Sequence, residues 1–377
     1  MAKPEIRLKG FKGEWEEKTF SQIVNVNSGM DYKGLNAGNI PVYGTGGYML
    51  SVDKSLSNED AIGIGRKGTI DSPQLLKAPF WTIDTLFFMT LKKGYDLNFI
   101  YSLCQTVRWK DYDESTGVPS LSKNNIDRIE SFVPNISEQK CIANYFKSLD
   151  SMIQGVTKKI ASLKQMKHAC LVSMFPQAGE TTPRVRFKGF EGEWEDVSFK
   201  DISYLAGTKN RDNLPLESYS ISNEFGFIPQ NEQFENGGTM SSADKRLYYI
   251  VTPDSFAYNP ARINVGSIGY DDLDKDVIVS SLYVVFKTDD DTYNPFLNYW
   301  FKTPMFKKMI ELYQEGGVRL YFFYDKLCNC HFRRPSIKEQ QRIASYFKSL
   351  DKQISFQEQR LEKLKQIKAA CLDKMFV

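Results

Sequence analysis

A glycine-rich stretch is the part of the sequence that most resembles a cofactor site. Residues 61–70, "AIGIGRKGTI", contain Gly63-x-Gly65-x-x-Gly68, the spacing of a dinucleotide-binding loop. In that loop a helix begins at the last glycines and points its N-terminal amides at a pyrophosphate. Here the chain continues as "TIDSPQ", with β-branched residues and a proline, so we expect no helix. A P-loop is also disfavoured, because Thr-Ile follows where Lys and Ser or Thr are needed.

The cations of this stretch suit a different ligand. Arg66 and Lys67 lie in the glycine-rich turn, which would let backbone approach a phosphodiester while the cations hold it in register. The second half of the chain offers "YNPARINVGSIGY", in which Arg262 precedes Gly-Ser-Ile as Arg66 precedes Gly-Thr-Ile. We therefore expect a shared task for the two turns. The alternative, an ordinary surface hairpin in each half, stays open.

Other groups that could do chemistry lack partners in the sequence. The two histidines, His168 and His331, are too few for a multi-histidine metal site, and they make histidine acid–base catalysis improbable. Cys328 and Cys330 precede His331 in "CNCHF", but no second cysteine pair supplies the missing ligands. The acidic run "YDDLDKD" is best interpreted as a solvated loop. We therefore expect no catalytic residue, no metal site and no cofactor in this chain.

Composition indicates a soluble globular protein of about two or three domains. The 377 residues are 41% hydrophobic, which is enough for packed cores, and no apolar run approaches the roughly 20 residues of a spanning helix. The six cysteines lack the spacing of a disulfide framework and are expected to be reduced, in a cytoplasmic protein. The net charge of +3 neither requires nor excludes nucleic acid.

Two internal repeats organise the chain. "IRLKGFKGEWEEKTFSQI" at residues 6–23 matches "VRFKGFEGEWEDVSFKDI" at residues 185–202. A longer repeat pairs residues 138–175, which begin "EQKCIANYFKSLD", with residues 339–376, which begin "EQQRIASYFKSLD". The segments between these repeats look almost unrelated. The sequence therefore predicts a tandem duplication whose framework was kept while its inserts diverged.

The longer repeat predicts two long helices with heptad-like apolar stripes. The stripe residues are Ile142, Phe146, Leu149, Ile153, Val156, Ile160 and Leu163 in the first copy and Ile343, Phe347, Leu350, Ile354, Leu361 and Leu364 in the second. We expect the two helices to pack on each other as an antiparallel, coiled-coil-like pair with pseudo-two-fold symmetry. The alternative is that each helix packs on its own globular neighbour.

The segments between the repeats predict mixed α and β structure. "TLFFMTL" and "VIVSSLYVVF" are strand-like, whereas "LNFIYSLCQTVRWKDY" and "NPFLNYWFKTPMFKKMIELY" are helical. The expected fold class is α+β: two globular α/β domains separated by a spacer made of the two long helices. The predicted domains are residues 1–135, 136–177, 178–335 and 336–377, the second and fourth being the helices.

These repeats resemble the specificity subunit of type I restriction-modification systems. The resemblance rests on "GFKGEWEEKTF" and "GFEGEWEDVSF" opening the halves, on the "EQ" motifs opening the helices, and on "KQMKHACLVSMF" and "KQIKAACLDKMF" closing them. It implies a non-enzymatic DNA-recognition subunit in which each globular domain reads one half of a bipartite target. The helices would set the gap and dock two adenine methyltransferase subunits, and restriction subunits would join through that complex. S-adenosylmethionine, ATP and magnesium would then bind to the partners.

The candidate DNA-binding residues combine this resemblance with side-chain chemistry. They are Arg66, Lys67, Thr69, Ser115, Thr116, Lys123 and Asn124 in the first domain and Arg262, Asn264, Ser267, Arg319 and Tyr321 in the second. The family's "TG…L" segment matches residues 116–121, whereas the second half departs from it with "GGVRL". Given the low net charge, we expect the isolated chain to bind DNA weakly. A non-enzymatic helical scaffold that binds other proteins is the alternative function.

Overall fold

The computed structural model describes residues 3–223, 225–233 and 244–377. The chain forms two compact units. Unit 1 comprises Met1–Lys159 together with Gln357–Val377, and unit 2 comprises Ile160–Phe356. Each predicted long helix therefore contributes residues to both units. Among the described residues, no helix combines the length and the apolar character needed to cross a membrane.

The described residues of unit 1 form three small sheets, short helices and parts of the two long helices. In chain order its elements are β1 (Glu16–Thr19), α1 (Phe20–Ile23), β2 (Val24–Ser28), β3 (Ala37–Gly44), β4 (Gly47–Val52), β5 (Ala61–Gly65), β6 (Gln74–Leu76), β7 (Trp81–Thr82), β8 (Leu86–Leu91), α2 (Leu97–Cys104), α3 (Lys123–Arg128) and β9 (Glu130–Val133), followed by the long helix α4 (Ile136–Ser173), which continues into unit 2. The sheet orders are β1-β9, β2-β8-β5-β6 and β4-β3-β7. The expected helix around residues 97–112 is α2 followed by a separate 3-10 turn, Trp109–Tyr112.

Strand β5 is an inner strand of the four-stranded sheet of unit 1, and its five residues are all buried. It pairs antiparallel with β8 on one side and β6 on the other, which explains its continuous run of small and apolar residues. Ile62 and Ile64 pack in the same core as Trp15, Phe20 and residues of α4. The opening repeat motif is thus built into the core beneath the sheet.

Unit 2 repeats part of this plan. Its elements are β10 (Glu195–Ser198), α5 (Phe199–Ile202), β11 (Ser203–Leu205), β12 (Thr208–Lys209), β13 (Ser218–Ser222), β14 (Gly226–Pro229), α6 (Gln230–Gln233), β15 (Tyr249–Val251), β16 (Phe256–Tyr258), β17 (Ile268–Tyr270), β18 (Val277–Val279), β19 (Val284–Thr288), α7 (Asn294–Trp300), α8 (Pro304–Tyr313), α9 (Tyr324–Cys328), β20 (His331–Arg334) and α10 (Ile337–Met375). The apolar run "VIVSSLYVVF" is divided between β18 and β19, which lie in different sheets.

The sheets show which parts of the duplication persist. The order β11-β19-β16-β17 in unit 2 matches β2-β8-β5-β6 in unit 1, and β10-β20 matches β1-β9. The remaining sheet differs, because unit 2 has the five strands β12-β15-β18-β13-β14 where unit 1 has β4-β3-β7. The inserts therefore diverged mainly in this sheet.

The long helices α4 and α10 confirm the prediction from the repeat. In unit 1 the Tyr145 hydroxyl of α4 is hydrogen-bonded to the Cys371 thiol of α10 at 3.2 Å. Five residues later in α4, Asp150 forms an ion pair at 2.6 Å with Lys368, which precedes Cys371 in α10, so the two segments run antiparallel. The stripe residues Ile142, Phe146 and Leu149 also belong to the globular core of the unit. In unit 1 the helix α4 therefore packs both on α10 and on the globular core, so the two alternatives occur together.

Unit 2 contains the same contacts with the roles of the helices exchanged. Cys170 of α4 approaches the Tyr346 hydroxyl of α10 at 3.5 Å, and Lys167 pairs with Asp351 at 2.5 Å. The stripe residues of α10 that enter this core are Ile343, Phe347 and Leu350. Further along the helices, Val156, Ile160, Leu163 and Ile354 are also buried, whereas Ile153, Leu361 and Leu364 are half-buried. The same helix–helix pairs therefore occur in both copies of the repeat.

A buried ion pair fastens each opening motif to its long helix. Arg7 donates from Nε and Nη2 to the buried Glu138 carboxylate, both at 2.7 Å, and its Nη1 donates to the Gly13 carbonyl. Arg186 and Glu339 form the same bidentate pair in unit 2. This arrangement explains why Arg in "RLKG" and "RFKG" and Glu in the "EQ" motifs occur in both copies, since a buried carboxylate requires a charged partner.

Candidate nucleic-acid interface

Unit 1 brings two of the predicted segments together. The turn after β5 carries Arg66 and Lys67, and it runs beside the segment that precedes α3. The Gly68 amide donates to the Pro119 carbonyl at 2.8 Å, and the Leu121 amide donates to the Arg66 carbonyl at 2.9 Å. The candidates Arg66, Lys67, Thr69, Ser115 and Thr116 therefore lie on two hydrogen-bonded loops of one surface.

The glycines of "GIGRKG" have structural roles in this turn. Gly65 lies where an added Cβ would be 2.0 Å from the Thr69 carbonyl oxygen, and Gly68 has a φ of +90°. The next element is the strand β6, so the turn lacks the helix that a dinucleotide-binding loop requires. The turn presents cations: Arg66 lies 5.7 Å from the Phe87 ring centroid, and its side chain and that of Lys67 are exposed.

The second loop of unit 1 is closed by Asp113. Its Oδ1 accepts hydrogen bonds from the amide and hydroxyl of Ser115 and from the Ser120 amide, at 2.8 to 2.9 Å. These bonds, that of Ser120 foremost, lower the pKa of Asp113. Ser115 therefore fastens the loop, whereas Thr116 and Val118 are exposed at its tip.

Helix α3 presents the remaining candidates of unit 1. Ser122 caps it by accepting a hydrogen bond from the Asn125 amide at 3.2 Å, and Lys123 and Asn124 are exposed in its first turn. Lys67 and Lys123 make no ion pair within the part of the chain that the structure describes. By contrast, Lys110 is paired with Asp71 at 2.8 Å. The unpaired cations are thus available to an anionic ligand.

Unit 2 joins equivalent loops in the same way. Glu315 and Tyr321 exchange two backbone hydrogen bonds, of 2.9 and 2.8 Å, which close a loop over residues 315–321. The next residue, Phe322, donates its amide hydrogen to the Pro260 carbonyl at 3.0 Å. The turn after β16 therefore lies beside the loop that carries Arg319, as the turn after β5 lies beside residues 113–121.

The register of the two turns differs from the expected one. Leu121 and Phe322 occupy equivalent positions of the repeat, and their amides bond to Arg66 and Pro260 respectively. Arg66 thus corresponds to Pro260, two residues before Arg262. Gly-Thr-Ile in unit 1 and Gly-Ser-Ile in unit 2 are therefore not at equivalent positions, because the turn of unit 2 contains an additional 3-10 segment, Ile263–Val265.

The candidates of unit 2 differ in exposure. Arg262, Asn264 and Arg319 are exposed, and the two arginines make no ion pair among the described residues. Tyr321 is half-buried and stacks on Phe323, with ring centroids 5.4 Å apart. Ser267 is only 4% exposed, and its hydroxyl donates to the Ile221 carbonyl at 3.0 Å. It therefore supports the sheet below the surface.

Sequence reasoning overlooked a hairpin beside the turn of unit 1. The tip between β3 and β4 is held by Gln74, whose Nε2 donates to the Gly44 and Thr45 carbonyls at 3.0 and 2.9 Å. The adjacent Tyr48 is 63% exposed. The hairpin borders the Arg66 turn through residues 83–85. The Ile83 amide donates a hydrogen bond to the Tyr43 carbonyl of β3, and the Thr85 carbonyl accepts one from the Arg66 amide. The signal was "YGTGGY", a glycine turn between aromatic residues.

In unit 2, Asn259 lies at the candidate interface although it is not among the predicted DNA-binding residues. It lines a cleft of about 160 Å³ together with Ser220, Tyr283 and the candidate Arg262. Its Oδ1 accepts a hydrogen bond from the Ala261 amide at 3.0 Å, which orients the turn. Asn259 thereby adds an amide side chain at the foot of the arginine-bearing turn.

Comparison with known proteins identifies the family. A family model described as the type I restriction modification DNA specificity domain matches residues 12–165 and again residues 191–366. The chain belongs to this family. It is a type I restriction-modification specificity subunit with two copies of the DNA specificity domain, as the tandem duplication predicted.

Individual relatives agree with this assignment. The specificity subunit of the MjaVIII type I restriction enzyme from Methanocaldococcus jannaschii is 22% identical over 332 residues, which cover 83% of this chain and 74% of that protein. The EcoprrI specificity subunit from Escherichia coli is 21% identical over 176 residues, 44% of this chain and 42% of that protein.

Solved structures show the same fold. A specificity subunit of a type I restriction-modification system from M. genitalium superposes with a TM-score of 0.68 at 14% identity, covering 100% of this chain and 99% of that one. A structure described in terms of complex assembly and conformational transition of the type I system gives a TM-score of 0.54 at 14% identity, with coverages of 96% and 97%. The predicted α+β fold with its tandem repeat is confirmed.

Proposed function

We propose that each unit of this specificity subunit reads one half of a bipartite double-stranded DNA target. The observation that carries the proposal is the pair of hydrogen-bonded loops found at equivalent places in the two units, each presenting cations that have no carboxylate partner among the described residues. Phosphate contacts from such cations supply affinity and register, and side chains on the same loops read base edges. Two different half-sites require two diverged surfaces on one framework.

The roles of the candidates follow from their positions. In unit 1, Arg66, Lys67 and Lys123 hold phosphates, while Thr69, Thr116 and Asn124 offer hydrogen-bonding groups to base edges. In unit 2, Arg262 and Arg319 hold phosphates or read guanine, and Asn264 and Tyr321 complete the surface. Ser115 and Ser267 act indirectly, because their hydroxyls are engaged within the protein.

Catalysis in this proposal belongs to partner subunits. Two adenine methyltransferase subunits bind the helical framework, one for each copy of the repeat, and restriction subunits join through that complex. S-adenosylmethionine, ATP and magnesium bind to those partners. Because the net charge of +3 is low for a DNA-binding protein, the isolated chain binds DNA weakly and gains affinity in the complex.

The test is to co-express the chain with the methyltransferase subunit of its own source and to map methylated adenines by single-molecule sequencing. We expect a bipartite motif with a fixed gap. Replacing residues 203–330 by the corresponding segment of another specificity subunit is expected to change one half of the motif and to leave the other half unchanged. A complex that forms without methylating any motif would favour a protein-binding scaffold.

Single substitutions in that complex test the assignment of the cations. Lys67→Ala is expected to weaken binding to all duplexes and to reduce the slope of log affinity against log salt by about 0.9, the value for one phosphate contact. Lys110→Ala is the matched control, because Lys110 is similarly exposed but is paired with Asp71. Equal slopes for the two variants would contradict the assignment of Lys67.

A further inference from the structure

The loop over residues 315–321, here called the tip loop of unit 2, exposes apolar side chains to solvent. Val318 is fully exposed, at 108% of its reference area, and Leu320 is 40% exposed. Burial of such a side chain would stabilise the fold by about 1.5 kcal/mol or more. The fold gains nothing from this placement, and the side chain of Val318 is accessible to a ligand.

The tip loop is closed at its base. Its ends are joined by the two backbone hydrogen bonds between Glu315 and Tyr321, and Lys326 forms an ion pair with Glu315 at 2.9 Å. Gly316 has a φ of +133°, and a Cβ there would lie 2.1 Å from the Arg319 carbonyl oxygen. Val318 therefore lies on a short loop with a closed base, and such pre-organisation lowers the entropic cost of binding.

The surroundings of Val318 favour DNA as its ligand. Arg319 is the next residue, and Arg262 lies on the turn that is hydrogen-bonded to the end of the loop. A tip made of Val318 and Leu320 is far smaller than the apolar core of a stable protein–protein interface. If the two arginines bind phosphates of the DNA backbone, the apolar tip between them faces a groove of the duplex. The C5-methyl of thymine is the apolar group that base edges present in the major groove.

We propose that Val318 reads the methyl group of a thymine in the half-site bound by unit 2. The inference rests on the proposed function and adds a specific base contact to it. The tip of unit 1 carries Val118, which is 68% exposed beside Thr116 in a loop closed by Asp113. Because Val118 faces the other half-site, it provides a matched control within the same chain.

The experiment uses the full chain in complex with its methyltransferase subunits and duplexes that carry the mapped motif. Each thymine of the half-site assigned to unit 2 is replaced in turn by deoxyuridine, which lacks only the methyl group. At one position we expect deoxyuridine to weaken binding about fourfold to tenfold, the value of one buried methyl group. Val318→Ala is expected to weaken binding to the thymine duplex by a similar factor and to be insensitive to that replacement.

Two further variants separate this contact from general effects. Val118→Ala is expected to keep the full sensitivity to deoxyuridine in the half-site of unit 2. Val318→Thr, which keeps one methyl group and the shape of the side chain, is expected to give an intermediate loss. Since Val318 is exposed, these substitutions leave the fold intact, and unchanged assembly with the methyltransferase subunits provides the check.

Several results would overturn the proposal while leaving the proposed function standing. They are a half-site of unit 2 without a T·A pair, binding that no deoxyuridine weakens, and Val318→Ala losses that are equal on thymine and deoxyuridine duplexes. A rise in the fluorescence of 2-aminopurine beside the contacted step, abolished in Val318→Ala, would instead identify an intercalating wedge. If the wild-type complex methylates no motif, the proposed function fails and the thymine contact fails with it.

Discussion

Asp271 of unit 2 is a buried carboxylate whose ionised form is destabilised by its surroundings. It follows β17 with a fully buried side chain, and its Oδ2 has no hydrogen-bond partner within the described residues. Burial, together with the nearby charges of Asp272 and Asp276, raises the pKa of Asp271 to about 6. The Leu273 amide donates to Oδ1 at 3.1 Å and Lys287 lies near, and both act in the opposite direction. The protonated acid is therefore the form that this environment favours.

The raised pKa of Asp271 makes unit 2 less stable as the pH rises. The folded state binds this proton more tightly than the unfolded state, so the stabilisation is complete below the ordinary pKa of 3.8 and is lost as the pH passes 6. Asp271→Asn keeps an acceptor for Leu273 and removes the charge. Its advantage over the wild type is expected to grow by about 2 kcal/mol between pH 4.5 and pH 7.5.

Hydrogen exchange of unit 2 peptides at the two pH values, corrected for intrinsic rates, measures this difference. Asp272→Asn is the control, because Asp272 is exposed and its loss removes a charge from the same loop. A pH-independent advantage for Asp271→Asn would show that Asp271 is ionised without penalty. An equal advantage for Asp272→Asn would show that the charge of the loop, and not the burial of Asp271, causes the pH dependence.

At the scale of the element, β5 couples core packing to the candidate interface. Its residues are buried, and the turn that follows it carries Arg66. An added Cβ at Gly65 would collide with the rigid backbone at Thr69, whereas at Gly63 it would approach the Leu76 side chain at 3.1 Å. Side chains adjust more readily than backbone does. The two glycines of one motif are therefore expected to differ in their tolerance of substitution.

Gly65→Ala is expected to destabilise unit 1 by more than about 2 kcal/mol and to displace the turn, whereas Gly63→Ala is expected to cost about 1 kcal/mol. Denaturant unfolding gives the stabilities. Amide exchange at residues 66–69 and 119–121 reports the turn, because the bond from Leu121 to Arg66 joins these segments. Comparable costs for both variants would mean that the turn adjusts to a larger residue.

The elements also show what the sequence could predict. The helices α4 and α10 were predictable because heptad periodicity is a local signal that the duplication repeats. The pairing of loops was not, since the bonds from Leu121 to Arg66 and from Phe322 to Pro260 join residues far apart in the sequence. The candidates were therefore found as separate motifs. Ser267 was aligned with Thr69 because Gly-Ser-Ile resembles Gly-Thr-Ile, and such a short match contains no information on burial.

At the scale of the whole molecule, each unit completes its core with residues from the other half of the sequence. Phe376, near the end of the chain, packs against Trp15, Phe99 and Phe146 in unit 1, with centroid separations of 5.4 to 6.2 Å. Phe175, its equivalent in the repeat, packs against Trp194, Phe296 and Phe347 in unit 2, at 5.2 to 6.4 Å. Each unit thus contains aromatic core residues from both halves of the chain.

This exchange predicts crossed effects of equivalent substitutions. Phe376→Ala is expected to destabilise unit 1 by about 3 kcal/mol, through a cavity beneath Trp15, and to leave unit 2 nearly unchanged, although the residue follows α10. Phe175→Ala is expected to do the reverse. Hydrogen exchange resolved by peptide distinguishes the units: in Phe376→Ala, protection falls in β5 and β8 and persists in β16 and β19. Equal losses of protection in both units would show that they unfold as one cooperative body, and the division into two units would then hold for contacts and not for stability.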